Sequence, residues 1–264
     1  MVSLVDSLPV ITLDRIHLVP GIQVIQDIVT PEDTSKKELI PDDLPYAGYL
    51  SVRFSLFEWH NFTLKQYYWS IGMVGPASGG EQMQKSFHAL IGNNEPKGWK
   101  HQLDNQLMLG LGYVLGYRTW QRVTKNGRRA NWFNTMSIDL GNFYTGAMFG
   151  TLFQFGANYP DNMVTFSNLA YGNNQARFSF ESDSNPTGWS IIAGFYLNTV
   201  AHIYLIDNAP DHDLDRGTLA GKGIISFNLH SDRYQISFML QAARRNVNQS
   251  EMIDHWGRIT ISWI

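Results

Sequence analysis

The chain has 264 residues, a formal charge of −3, 13% aromatic residues and only 16% charged residues. That length suits one large all-β domain, and the charge excludes the broad basic surface that grips nucleic acid. The absence of cysteine excludes disulfide staples, thiol catalysis and cysteine-ligated zinc.

Residues Met1 to Arg15 lack a basic segment followed by an apolar run, so they do not read as a signal peptide. No apolar stretch approaches the roughly 18 residues of a membrane-crossing helix. Any membrane residence must then use strands, because only helices and closed barrels satisfy their backbone groups in lipid.

Period-two alternation dominates. Between Tyr49 and Trp59, Leu50, Val52, Phe54 and Leu56 alternate with Ser51, Arg53 and Ser55. Tyr67, Trp69, Ile71 and Met73 repeat the pattern, as do Tyr234, Ile236, Phe238 and Leu240, and finally Ile259, Ile261 and Trp263. Taken in chain order, the strands predicted are 12–28, 46–59, 63–75, 102–122, 130–143, 147–157, 163–181, 187–197, 199–207, 219–230, 233–245 and 255–264. Turn residues such as Asn126-Gly127 and Ser231-Asp232 separate them. Segments of about ten residues match a tilted strand crossing a bilayer. The pattern predicts a single domain over 1–264, a closed antiparallel up-and-down transmembrane β-barrel of about twelve strands, its polar inner faces lining a narrow, filled lumen. A soluble β-sandwich with its polar face outward fits the same alternation.

One segment breaks the pattern. Residues 77–91 read as a short helix in a loop at the barrel rim, with Gly79-Gly80 before it and Gly92 ending it. Glu81, Gln84 and His88 share one face at i, i+3 and i+7, while Met83, Phe87, Leu90 and Ile91 are expected to pack elsewhere. A histidine with a near-neutral pKa can act as general base, and a neighbouring glutamine can orient its ring or a water. A solvated polar face on an ordinary loop helix is the plainer reading of the same spacing. His212, in the acidic run Asp211 to Asp215, reads as part of a mobile, solvated loop that could at most bind a cation. His17, His230 and His255 read as polar groups in or beside strands. No G-x-S-x-G, Walker, HExxH or EF-hand pattern is present.

Several motifs together resemble the outer-membrane lipid A 3′-O-deacylase family. They are Asp43-Leu44-Pro45-Tyr46-Ala47-Gly48-Tyr49, Gly72-Met73-Val74-Gly75-Pro76, Gly80-Glu81-Gln82-Met83-Gln84 with His88, Gly98-Trp99 and Gln102-Leu103-Asp104-Asn105. Gly141-Asn142, Phe155 to Pro160 and the closing Trp256-Gly257-Arg258 extend the likeness over most of the chain. The resemblance implies a twelve-stranded barrel in the bacterial outer membrane, with an active site between its wall and a loop helix and facing the outer leaflet. It implies hydrolysis of an acyl ester of lipid A or lipopolysaccharide, with His88 as base, Gln84 beside it, and Ca²⁺ stabilising the oxyanion. Asp6 is the metal ligand so implied, with Asp14, Asp42 or Asp43 as alternative carboxylates, and Asp43, Tyr46 and Glu81 are candidate substrate contacts. No nucleic acid partner and a monomer are expected. The sequence departs from the family pattern at Val19-Pro20, where Thr-Asn is usual, at Leu44 for Arg, at Gln106 for Glu and at Ile264 for a terminal aromatic. These departures leave open a second reading, a barrel that binds lipid without turnover. The strands alone leave open a third, a small diffusion pore.

Overall fold

A computed structural model of the chain describes residues 17–60, 62–159, 165–168, 173–176, 187–231, 234–244 and 253–263. The strands are β1 (His17–Val29), β2 (Ala47–His60), β3 (Thr63–Val74), β4 (Gln106–Val123), β5 (Arg128–Gly141), β6 (Tyr144–Ala157), β7 (Thr165–Asn168), β8 (Asn173–Ala176), β9 (Thr187–Ile203), β10 (Leu219–Ser231), β11 (Tyr234–Arg244) and β12 (Ile253–Trp263). Helix α1 (Gly80–Ile91) lies between β3 and β4, and the short α2 (Tyr204–Asp207) follows β9.

Ten strands form one antiparallel sheet in the order β1-β2-β3-β4-β5-β6-β9-β10-β11-β12, and β7 and β8 pair only with each other. Two expectations change. The segments read as strands 187–197 and 199–207 are one 17-residue strand, β9. Asn198, which looked like a break, is 1% exposed and faces inward like the polar residues of the other strands. The segment read as one strand over 163–181 contains instead the β7–β8 hairpin. The sheet therefore has ten strands among the described residues, not twelve.

The sheet is inside-out relative to a soluble protein. Ser51, Arg53, Gln66, Asn131, Ser190 and Asn228 are buried, whereas Ile22, Leu111, Ile138, Phe195 and Leu240 are more than half exposed. In water such a wall would forfeit about 1.5–3 kcal/mol for each large side chain left unburied. Polar-in, apolar-out is the pattern of a barrel whose outer face meets lipid, and it argues against the β-sandwich.

The sheet also curls. Phe57 of β2, Phe133 of β5, Tyr196 of β9 and Met239 of β11 belong to one buried cluster, which a flat sheet would hold far apart. Arg53 of β2 lies over the ring of Tyr68 of β3, 4.1 Å from its centroid. The Tyr68 hydroxyl donates to the carboxylate of Asp139 on β5, and Lys222 of β10 is a further cation near that carboxylate. Charged groups thus face one another on the inner side of the curled sheet. His230, read as a polar strand histidine, is inward and bonded to Ser190 at 3.0 Å.

Antiparallel order places the connections 30–46, 75–105 and 204–218 on one rim. Backbone bonds tie them together: Lys97 N–H donates to Thr34 O at 3.0 Å, Leu103 N–H to Tyr46 O at 3.0 Å and Asp213 N–H to Pro41 O at 2.8 Å. The acidic loop around His212 is docked on residue 41, not freely solvated.

Candidate active site

The rim helix is placed by glycines. Gly75 (φ 99°) and Gly79 (φ 71°) adopt left-handed backbone, which a side chain disfavours. They turn the chain sharply out of β3, through the single 3₁₀ turn Pro76–Ser78, into α1. Gly75 N–H donates to Gly48 O at 3.0 Å, and Ser78 Oγ donates to Gly75 O at 2.6 Å. The helix start then rests directly on Gly48 at the head of β2. At the other end Gly92 (φ 70°) caps α1, and Asn93 N–H returns to His88 O at 2.8 Å.

His88 is half-buried, and its Nδ1 lies 2.6 Å from the carbonyl oxygen of Asn94. A carbonyl can only accept, so Nδ1 carries the proton. In the neutral ring Nε2 then holds the lone pair, the form a general base needs. One turn earlier, Trp99 Nε1 donates to Gln84 Oε1 at 2.8 Å. That bond fixes the amide and commits its oxygen, leaving the two N–H donors as its outward function.

The support beneath Gln84 is aromatic. Trp99 and Tyr46 are 2% and 5% exposed, with ring centroids 5.2 Å apart at 57°. Tyr46 Oη donates to Thr34 O at 3.3 Å. Burial raises the Tyr46 phenol above its ordinary range, so it stays neutral. A Cβ at Gly98 would come within 2.4 Å of the Tyr46 ring, so that position admits little but glycine.

Glu81 does not stand free. It binds Lys85 at 2.9 Å, and Lys85 also binds Glu95 at 2.8 Å. Hydrogen bonds to both carboxylates raise the Lys85 ammonium above its ordinary range, and Lys85 in turn holds Glu95 below its own. These exposed pairs add little stability. Their effect is positional, since Glu95 follows the carbonyl that orients His88.

Asp43 uses both carboxylate oxygens on backbone: Leu44 N–H and Glu32 N–H each donate to it at 2.7 Å. It fastens the 30–46 loop. Asp6 lies outside the described residues. Among the described residues no three His, Asp or Glu side chains come together as a metal cage. They do not by themselves supply a carboxylate or imidazole cage for Ca²⁺.

Gln84 and His88 thus share one side of α1, Gln84 joined through Trp99 to Tyr46 and His88 to Asn94, with Glu81 turned to Lys85 and Asp43 to the loop backbone. Sequence reading assigned no role to Trp99, Asn94, Lys85 or Glu95. Gly98-Trp99 carried a motif signal, whereas a backbone acceptor such as Asn94 O carries none. The sequence departures also find places. Leu44 is 5% exposed in an apolar cluster with Val29 and Tyr49, Pro20 lies on the terminal strand β1, and Gln106 is exposed at the start of β4. Cavities lie along β3–β5, one beside Arg53 and Asp139 inside and one beside Trp69 and Leu111 on the wall; neither is lined by His88 or Gln84.

A model of the family described as outer membrane protein LpxR matches residues 2–264. No curated protein matches the chain. Among solved structures, LpxR from Salmonella typhimurium superposes with a TM-score of 0.77 at 15% identity, covering 92% of this chain and 81% of that one. At that identity the likeness speaks for the fold.

Proposed function

Because the chain belongs to the LpxR family, the outer-membrane lipid A 3′-O-deacylases, we propose that it is an esterase that hydrolyses an ester-linked acyl chain of lipid A with His88 as general base. The observation that carries this reading is the 2.6 Å contact of His88 Nδ1 with Asn94 O, which leaves Nε2 free to take a proton.

In the proposed reaction a water beside Nε2 gives up a proton as its oxygen bonds to the ester carbonyl carbon. The Gln84 amide donors meet the water or the developing oxyanion. The tetrahedral intermediate then breaks its bond to the sugar oxygen, and the imidazolium returns the proton to that leaving alkoxide. The products are a free fatty acid and a sugar hydroxyl. A positioned base of this kind contributes ~10²–10⁴-fold. Any Ca²⁺ requirement would draw on oxygens such as the Asp6 carboxylate.

The sheet closes, in this reading, by pairing β1 with β12 into a monomeric barrel. The rim carrying α1 faces outward, since the longer connections of such barrels are extracellular. That places His88 at the leaflet where lipid A resides. Incubation with lipopolysaccharide and mass spectrometry of the lipid A should show loss of one ester-linked chain, with His88→Ala slower by at least ~10²-fold and chelation by EDTA reporting any Ca²⁺ requirement. The absence of product with any acylated glycolipid at saturating Ca²⁺ would defeat it.

A second reading has a specific basis. Leu44 is buried in the apolar cluster where the family pattern has arginine. A lipid-binding barrel without turnover would then result, and the same assay distinguishes the two.

A further inference from the structure

We propose that α1 is an interfacial helix, its unpartnered apolar flank immersed in the acyl layer of the outer leaflet; the proposal rests on the outer-membrane reading above. Met83, Phe87, Leu90 and Ile91 follow i, i+4, i+7 and i+8, so they form one stripe. They are left open to the surroundings, 55%, 56%, 82% and 55% exposed. The protein-facing side of the helix is used by Gly80, Gln84 and His88.

Two further observations name the occupant. First, the charges of α1 are kept off the stripe: Glu81 and Lys85 are paired with each other, and Lys85 with Glu95. The remaining exposed side is Gln82, Ser86 and Ala89, which carry no charge. Second, the apolar outer wall runs up to this rim. Leu50 of β2, Ile71 of β3, and Leu107 and Leu109 of β4 are exposed on the strands that flank the helix. The helix rests on Gly48, two residues from Leu50. The lipid surface that covers the wall therefore continues onto the stripe. An amphipathic segment whose charges are paired off its apolar stripe lies in the interface plane at such a boundary, apolar side down. Immersion would hold His88, on the adjoining face, at the level where acyl esters meet their sugars.

The chain has no cysteine, so single labels can be placed without background. Phe87→Cys and Leu90→Cys, with Gln82→Cys and Ala89→Cys as references on the other flank, would carry nitroxides in full-length protein reconstituted into vesicles of phospholipid and lipopolysaccharide. Collision rates with oxygen and with a water-soluble nickel chelate give label depth. The oxygen-to-nickel ratio should be at least several-fold higher at 87 and 90 than at 82 and 89. Equal, water-like ratios at all four sites would overturn the proposal, and so would spin–spin broadening at 87 and 90, which would assign the stripe to a second copy. All four sites are exposed, so folding should survive, and Leu90→Cys repeats the reading should Phe87→Cys disturb the helix. No turnover is needed. Immersed labels on an inactive protein would sink only the esterase reading, and water-exposed labels on an active one only this.

Discussion

Gly48 and Gly80 meet backbone to backbone: a Cβ on Gly48 would lie 2.8 Å from the Gly80 Cα, and one on Gly80 would lie 2.6 Å from the Gly48 Cα. The head of β2 and the start of α1 are thereby locked together. Neither glycine has a left-handed φ, so close approach, not backbone freedom, is what each supplies. Gly80→Ala is expected to cost about 1–3 kcal/mol of local overpacking. The effect should appear as faster proteolysis of residues 75–105 and reduced deacylation, with the barrel intact. Unchanged proteolysis would show that the contact relaxes cheaply.

Trp99 links the buried aromatic pair to the face of α1 that carries Gln84 and His88 through one hydrogen bond. Trp99→Phe keeps the packing against Tyr46 and removes the Nε1 donor to Gln84. The expected result is a roughly 3- to 10-fold lower kcat, the worth of one ordinary hydrogen bond, with KM little changed. Equal loss in Trp99→Phe and Trp99→Ala would point to packing and not to the bond.

His212 should make the rim loops sensitive to acid. Burial holds its imidazole below the ordinary range, with Asp211 and Asp43 opposing and His101 adding to the depression. The folded loop binds a proton less readily than the unfolded one. The contribution to docking is therefore full above the unfolded pKa of about 6.5 and falls as pH drops toward the depressed folded value. Hydrogen exchange corrected for intrinsic rate should show residues 204–218 opening more at pH 5 than at pH 7.5, and His212→Gln should flatten the difference. Protection independent of pH in the native protein would remove the argument.

Closure of the sheet can be read by crosslinking. Cysteine pairs scanned along β1 and β12 should include an antiparallel series that oxidises, because paired strands bring Cα atoms within about 5.5–6 Å. A pair at Phe238 and Ile259, which are register partners on β11 and β12, serves as the positive control. Crosslinking of the control alone would leave the sheet open.

Much of the wall was legible from the chain. Period-two alternation located β2, β3 and β11 to within a residue or two, because in a curled sheet every second side chain must choose between lumen and lipid. One strand boundary differs. Asn198 interrupts an apolar run, yet an inward amide is ordinary in such a wall, so β9 continues to Ile203. The helix start was placed three residues early because Pro76–Ser78 form a separate 3₁₀ turn, divided from α1 by the left-handed Gly79.

For the site, helical spacing alone put Glu81, Gln84 and His88 on one face, since 3.6 residues per turn is a local property. The partners of that face were not local. Trp99 reaches Gln84 across 15 residues by the folding of the 75–105 connection back on itself, and Gly48 reaches Gly80 across 32 because the β2–β3 register returns the chain to the same rim. Which nitrogen of His88 keeps its lone pair depends on a single backbone carbonyl, and no side-chain pattern encodes where a carbonyl will point.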